Sequence, residues 1–254
     1  GESGTKVLVE ISSESGEIRE IDLERRSVDL RPVRTKRLRD DSHTIGYLRI
    51  TQFSESVPKK VEEALQELKE KEVEGLILDL RNNSGGLVSS GIAVADSLLS
   101  EKPIVETKNR NGIKDAITSQ KETSYDGPMV TLVNKGTASA SEILAGSLQD
   151  NGRSTLLGEQ TYGKGLIQSL KSLGENSGVA ITVASYLTPK GNNIQGQGIT
   201  PDKLLDLPDA SDYGSAEDKW VRNAELFLDS FLEKEEVSIQ TPEISNEEIK
   251  PSSS

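Results

Sequence analysis

The stretch Gly75-Leu76-Ile77-Leu78-Asp79-Leu80-Arg81-Asn82-Asn83-Ser84-Gly85-Gly86 decides the architecture. Its first half is short and almost continuously apolar, the pattern of a strand covered on both faces, and it ends in a glycine-rich turn. Val88, Ile92, Ala95 and Leu99 then recur at helical spacing. Strand, tight turn and helix in that order predict a unit of a parallel sheet. On the N-terminal side, residues 46–50 alternate as a strand, and Val57, Val61, Ala64, Leu65 and Leu68 form one stripe of a helix starting at Ser56. On the C-terminal side, residues 129–133 repeat the buried-strand pattern and lead into a helix over 139–149. Asn111-Gly112 predicts a hairpin turn, and residues 165–173 and 179–187 flank another turn. A last helix is expected from Ser215, with Trp220, Ala224, Phe227 and Phe231 on its stripe. The expected fold is α/β, with a largely parallel, helix-covered sheet over residues 45–232. Residues 1–30 read as strands forming a hairpin, 31–44 as a charged linker carrying His43 in solvent, and 233–254 as an acidic, disordered tail.

Composition removes several functions. The 254 residues hold 30 Lys and Arg against 42 Asp and Glu, a net charge of −12. That argues against nucleic-acid partners and anionic membrane surfaces, both of which need a basic face. No apolar run approaches the roughly 18 residues of a membrane-spanning helix, so an integral membrane protein is not expected. Cys 0 excludes disulfides, thiol nucleophiles and thiolate metal sites, and His 1 excludes multi-histidine centres. No metal or cofactor is expected. A Ser-His-Asp triad would have to use His43.

Three segments can carry chemistry. Ser139, within Gly136-Thr137-Ala138-Ser139-Ala140-Ser141-Glu142, stands where a buried strand meets a helix, among small residues that leave room for a substrate. Ser139 and Glu142 also read as a Ser-x-x-Glu capping box, which starts many helices. With imidazole nearly excluded, a nucleophile needs lysine or carboxylate as its base. Lys164 stands between Gly163 and Gly165 ahead of an apolar strand, a setting in which burial could take its proton. Gln168, four residues on, falls on the same face of an extended chain. An ordinary loop lysine is the alternative, and so is a P-loop, because residues 158–164 spell G-x-x-x-x-G-K. A P-loop needs Ser or Thr after the lysine and a helix beyond it, whereas Gly165 follows Lys164. The third segment, residues 81–86, has glycines that leave backbone N–H groups open to an oxyanion, although a tight turn wants the same glycines.

Together these segments, with Tyr186-Leu187-Thr188-Pro189-Lys190-Gly191 and Gly198-Ile199-Thr200-Pro201-Asp202, resemble the carboxyl-terminal processing (tail-specific) proteases, most of all their cyanobacterial and chloroplast members. The resemblance implies a crotonase/ClpP-like serine protease core that cleaves polypeptides near accessible C-termini, exported to the periplasm or thylakoid lumen. It implies Ser139 as nucleophile, Lys164 as general base, Gln168 as the residue orienting the lysine, and the backbone amides of Gly85 and Ala140 as oxyanion donors. Gly86 is a one-residue alternative to Gly85, and Glu142 and Asp150 are expected to be structural. The family carries a PDZ domain before its core. Residues 1–30 resemble only the last strands of that domain, with its carboxylate-binding loop upstream of Gly1. The alternative from another class is a non-catalytic peptide-binding module in which Ser139 is only a cap.

Overall fold

The computed structural model describes residues 1–13, 15–26, 31–39, 43–120, 122–174, 177–206 and 212–240. They divide into two units, Gly1–Arg31 and Pro32–Ser254. The first is an antiparallel pair, β1 (Lys6–Ser12) and β2 (Ile18–Glu24), in register from Lys6 opposite Glu24 to Ser12 opposite Ile18. This is the hairpin expected from the alternating pattern.

The second unit is built on β3 (Val33–Arg39), β4 (Thr44–Ile50), α1 (Val57–Glu70), β5 (Gly75–Asp79), α2 (Val88–Leu98), β6 (Pro103–Asn109) and β7 (Gly112–Thr118). It continues with β8 (Met129–Val133), α3 (Ala140–Asp150), β9 (Thr155–Gly158), β10 (Leu166–Gly174), β11 (Ser177–Leu187), β12 (Lys203–Leu204) and α4 (Lys219–Gln240). One sheet runs in the order β12-β9-β8-β5-β4-β3. Every pairing in it is parallel except β3 with β4. Period-two alternation divides the core between the sheet's two faces. Leu76 and Leu78 of β5 join Val61 and Leu65 of α1, Val94 of α2 and Leu144 of α3. Ile77 joins Val130, Leu132 and Leu157 against Trp220, Val221, Ala224 and Leu228 of α4. Helices therefore cover both faces, as the apolar runs require. A second sheet, β10-β11-β6-β7, is wholly antiparallel.

Five expectations are corrected. Residues 31–44 are not simply a linker, because β3 pairs with β4 from Val33 opposite Ile50 to Arg39 opposite Thr44. Arg34, Lys36, Arg37 and Arg39 hide the strand pattern, yet basic residues suit an outer strand, where they discourage pairing with another chain. His43 is not solvated: it is 7% exposed, and its Nδ1 lies 3.4 Å from Glu74 Oε1. The last helix begins at Lys219 rather than Ser215, because Asp218 caps it through the amides of Trp220 and Val221 at 3.2 and 3.4 Å. It runs to Gln240, so 233–240 are helical rather than disordered, consistent with the helix propensity of Glu233-Lys234-Glu235-Glu236. Phe231 on its expected buried stripe is 45% exposed. The remaining tail, 241–254, lies outside the described residues, as do 27–30, 40–42 and 175–176.

Candidate active site

Strands β5, β8 and β9 lie side by side and parallel, so the turns leaving their C-terminal ends gather at one edge of the sheet. That edge is where open α/β sheets place their ligands. The turn after β5 carries Gly85, the turn after β8 carries Ser139, and the loop after β9 carries Lys164.

The β5 and β8 turns are stitched together by side chains acting as extra backbone partners. Asn134 Oδ1 accepts the amides of Asn82 and Gly136 at 2.9 and 3.0 Å, and Asn134 Nδ2 donates to Asn82 Oδ1 at 3.0 Å. Thr137 Oγ1 donates to Leu80 O at 2.9 Å. The Ala138 amide and the Ser141 hydroxyl both donate to Asn83 O, at 3.0 and 2.9 Å. Gly85 has φ +100, and a Cβ there would stand 2.8 Å from both Ser139 Cβ and Ala138 O. Only glycine permits that approach.

Ser139 occupies φ 60, ψ −119, a region a side chain adopts only when its surroundings over-determine it, at a cost of about 1–3 kcal/mol. A helix cap needs no such strain, since cap residues ordinarily sit in the extended region. The side chain is half-buried at the start of α3. The backbone amides near Ser139 differ in what they already bond. The Gly85 amide donates to Asn83 Oδ1 at 3.0 Å. Among the described residues, the amides of Gly86 and Ala140 have no acceptor. Asn83 competes for the Gly85 donor because a short Asn side chain readily folds back onto its own turn.

Glu142 joins the serine to the lysine. Its fully buried carboxylate accepts the Ser139 and Lys164 amides on one oxygen, both at 2.8 Å. The other oxygen takes the Thr161 hydroxyl at 2.6 Å and the Gly163 amide at 2.7 Å. Thr161 in turn receives the Ile199 amide at 2.7 Å. Glu142 is thus a structural clamp between the two turns. Asp150 plays a smaller part, accepting the Lys190 amide at 2.8 Å.

The lysine side chain departs from expectation. Lys164 is exposed rather than buried, and among the described residues no hydrogen bond joins it to Ser139 or to Gln168. Gln168 is also exposed, beside a register shift between Ile167 and Gln168. The physical reason is the hairpin that follows. On β10 and β11, Leu166, Leu173, Ile181 and Val183 are 38–69% exposed, so among the described residues no layer covers this apolar segment and draws Lys164 inward. The loop nonetheless leads into a strand rather than a helix, which removes the geometry of a P-loop.

Beneath the β5 turn lies a buried charged cluster that sequence reasoning missed. Arg81, fully buried, donates to Asp79 (Nε–Oδ1 3.0 Å, Nη2–Oδ2 2.7 Å) and to Asp218 (Nη1–Oδ1 3.1 Å, Nη2–Oδ2 2.6 Å). Arg49 pairs with Asp79 at 2.8 Å, and the Tyr47 hydroxyl donates to the same carboxylate at 2.7 Å. Burial pushes the Tyr47 hydroxyl's pKa far upward, and the Asp79 charge adds to the shift. Burial also opposes the charge on Asp218, but hydrogen bonds from Arg81 and from the Gly214 amide outweigh it and hold that carboxyl below its ordinary range. Among the described residues no cluster of His, Asp and Glu could hold a metal ion, and no helix is long and apolar enough to cross a membrane.

Similarity to known proteins agrees with this geometry. A "Carboxyl-terminal-processing protease" of Synechocystis sp. is 49% identical over 212 residues, covering 82% of this chain and 49% of that protein. A "C-terminal processing peptidase, chloroplastic" of Tetradesmus obliquus is 46% identical over 164 residues, covering 64% of this chain and 35% of that protein. The solved "Photosystem II D1 C-terminal processing protease" superposes with a TM-score of 0.70 at 38% identity, over 81% of this chain and 57% of that one. The chain therefore spans about half the length of the relatives it matches. Residues 44–205 match the sequence profile of Peptidase family S41, and the chain belongs to that family.

Proposed function

We propose that this chain is the core of a serine endopeptidase that cuts polypeptides near their C-termini with a Ser139–Lys164 dyad. One observation carries the reading. The Ser139 and Lys164 amides share a single oxygen of Glu142, so the two backbones lie no farther apart than two 2.8 Å bonds allow. The four-carbon stem of lysine spans that gap.

Neutral Lys164 Nζ takes the hydroxyl proton as Ser139 Oγ attacks the scissile carbonyl carbon. The resulting oxyanion is met by the Ala140 amide and by an amide of the β5 turn, that of Gly86, or of Gly85 if Asn83 releases it. The Lys164 ammonium then protonates the departing amine as the C–N bond breaks, leaving an acyl ester on Ser139. Water then attacks the ester carbon, giving a proton to Lys164, which returns it to Ser139 Oγ as the ester C–O bond breaks and the acid leaves. Gln168 orients the amine once the lysine turns inward. The substrates are polypeptides with accessible C-termini, and the setting is an exported compartment, periplasm or thylakoid lumen.

The exposure of Lys164 favours a second reading, a peptide-binding module that holds chains without cutting them. Mass spectrometry after incubation with a peptide ending in small apolar residues separates the two. A defined cut that Ser139→Ala abolishes supports the protease. Binding without a cut by the unaltered chain supports the module.

A further inference from the structure

We propose that the turn ahead of α4, carrying Tyr213 and Asp218, is a positioning element for the oxyanion side of the site. It lies beyond residue 205, where the family profile ends. Tyr213 and Asp218 touch no substrate in this account. They act through Asn82 and Arg81, and the inference rests on the protease reading above.

Asp218, fully buried, grips Arg81 through both carboxylate oxygens. It is itself fixed by the Gly214 amide at 2.9 Å and the Trp220 amide at 3.2 Å. The Tyr213 ring lies 3.8 Å from Arg49 and 4.7 Å from Arg81, measured from each guanidinium carbon to the ring centroid. Its hydroxyl accepts the Asn82 side-chain amide. Asn82 sits at φ 54, a left-handed conformation that a non-glycine residue keeps only under outside constraint. It begins the turn whose next residues carry the Gly85 and Gly86 amides, and through Asn134 it also holds the Gly136 amide on the serine's turn. Constraint therefore passes from Tyr213 to Asn82 and divides to both oxyanion donors. Charge points the same way, since Asp79 and Asp218 balance Arg49 and Arg81 only while the α4 turn is docked. Gly214 secures the docking. At φ +74, a Cβ there would stand 2.7 Å from the Tyr47 ring.

Tyr213→Phe keeps the ring and removes the hydroxyl that accepts from the Asn82 side chain. The test measures kcat and KM separately on a peptide ending in small apolar residues. It also measures inhibition by the matching peptide aldehyde, to whose carbonyl Ser139 Oγ adds as a hemiacetal, and by the corresponding alcohol. Removing one oxyanion donor outright costs 10²–10³ in kcat, so misaligning the donors is expected to cost about tenfold. The aldehyde should weaken by the same factor, with KM and alcohol binding within about twofold and Tm within about 2 °C. An unchanged kcat, or a loss of kcat shared by alcohol binding and tracking a fall in Tm, overturns the proposal. Hydrogen exchange supplies a reading that needs no activity. In Tyr213→Phe, peptides covering 80–87 and 134–140 should exchange faster while 220–228 stays as in the parent. Unaltered exchange at 80–87 overturns the proposal even if the chain cuts nothing. Parental cleavage by Ser139→Ala would instead sink the dyad and leave the exchange result to decide this inference. Gly214→Ala, which should shift the same turn without removing a hydrogen-bonding group, is expected to give the same exchange pattern.

Discussion

Glu142→Gln replaces the clamp between the serine and lysine turns with a group of the same shape and half its accepting capacity. The carboxylate accepts four donors, two on each oxygen. Glutamine offers one carbonyl oxygen and an NH₂ that can only donate. If Nε2 faces Ser139 and Lys164, two buried N–H groups meet another donor, at about 1–3 kcal/mol each. If it faces Thr161 and Gly163, the Thr161 hydroxyl can accept from it while keeping the Ile199 amide, leaving the Gly163 amide without an acceptor and the rotatable hydroxyl hydrogen to turn elsewhere. The second orientation is the cheaper. Its cost is about 1–3 kcal/mol for Gly163, plus about 1 kcal/mol for each of two amide bonds that lose their charged acceptor. The expected loss is about 3–5 kcal/mol, a shift on the order of 10 °C in Tm for a unit of this size.

Urea denaturation checks this directly, because the single tryptophan, Trp220, is buried in the α4 layer and reports on unfolding. The midpoint should fall with little change in slope. Cleavage should behave differently. The cheaper orientation keeps the Ser139 and Lys164 amides on one oxygen, so kcat should stay within about tenfold of the parent. Glu142→Ala, which removes all four acceptors, should lose far more activity, toward the 10²–10³ expected when site geometry is lost. A stability loss below about 1 kcal/mol for Glu142→Gln, or equal kcat for the Gln and Ala variants, would refute the clamp argument.

Three further outcomes follow from the site. Ser139→Gly and Ser139→Ala should both be inactive, but the glycine variant should be the more stable by about 1 kcal/mol in urea titration, because glycine relieves the strained φ. Lys164→Arg should be as inactive as Lys164→Ala on a peptide the parent cuts, since guanidinium stays protonated at any working pH; cleavage within tenfold of the parent would remove Lys164 from the mechanism. The Asp218 carboxyl is depressed in the folded state relative to about 3.9 unfolded, so its stabilisation is present above pH 4 and lost as pH falls through the folded value. Asp218→Asn should flatten the acid limb of the stability curve below pH 4 relative to the parent, read as urea midpoints from pH 6 to pH 2.5.

The strand–turn–helix units were legible because their marks are local. Continuous apolar runs at 76–80 and 129–133, helical stripes at Val61–Leu65–Leu68, and Asn111-Gly112 each report on a few neighbouring residues. Ser139 and Lys164 stood out for the same reason, as small or charged residues at element boundaries. What escaped was set by distant partners. Arg81 reads as one charge in a turn, and nothing within its neighbourhood indicates that its second carboxylate, Asp218, lies 137 residues away. Glu142 reads as a helix cap, whereas three of its four donors come from 19–22 residues downstream. Strand β3 escaped because its charged edge alternates too weakly to register.

The misread burial of Lys164 carries a mechanistic consequence. An apolar run implies burial only where a second layer covers it, and β10 and β11 stand largely uncovered beside the site. The two halves of the proposed dyad therefore rest on supports of opposite kind: Ser139 begins a helix buried along most of its length, and Lys164 begins an exposed hairpin. Their backbones are nevertheless tied to the same oxygen of Glu142. Bringing the amine to the serine thus requires rotation about lysine side-chain bonds rather than movement of the loop. A polypeptide laid over β10 would supply the missing cover and take water away from the amine as it reaches Ser139.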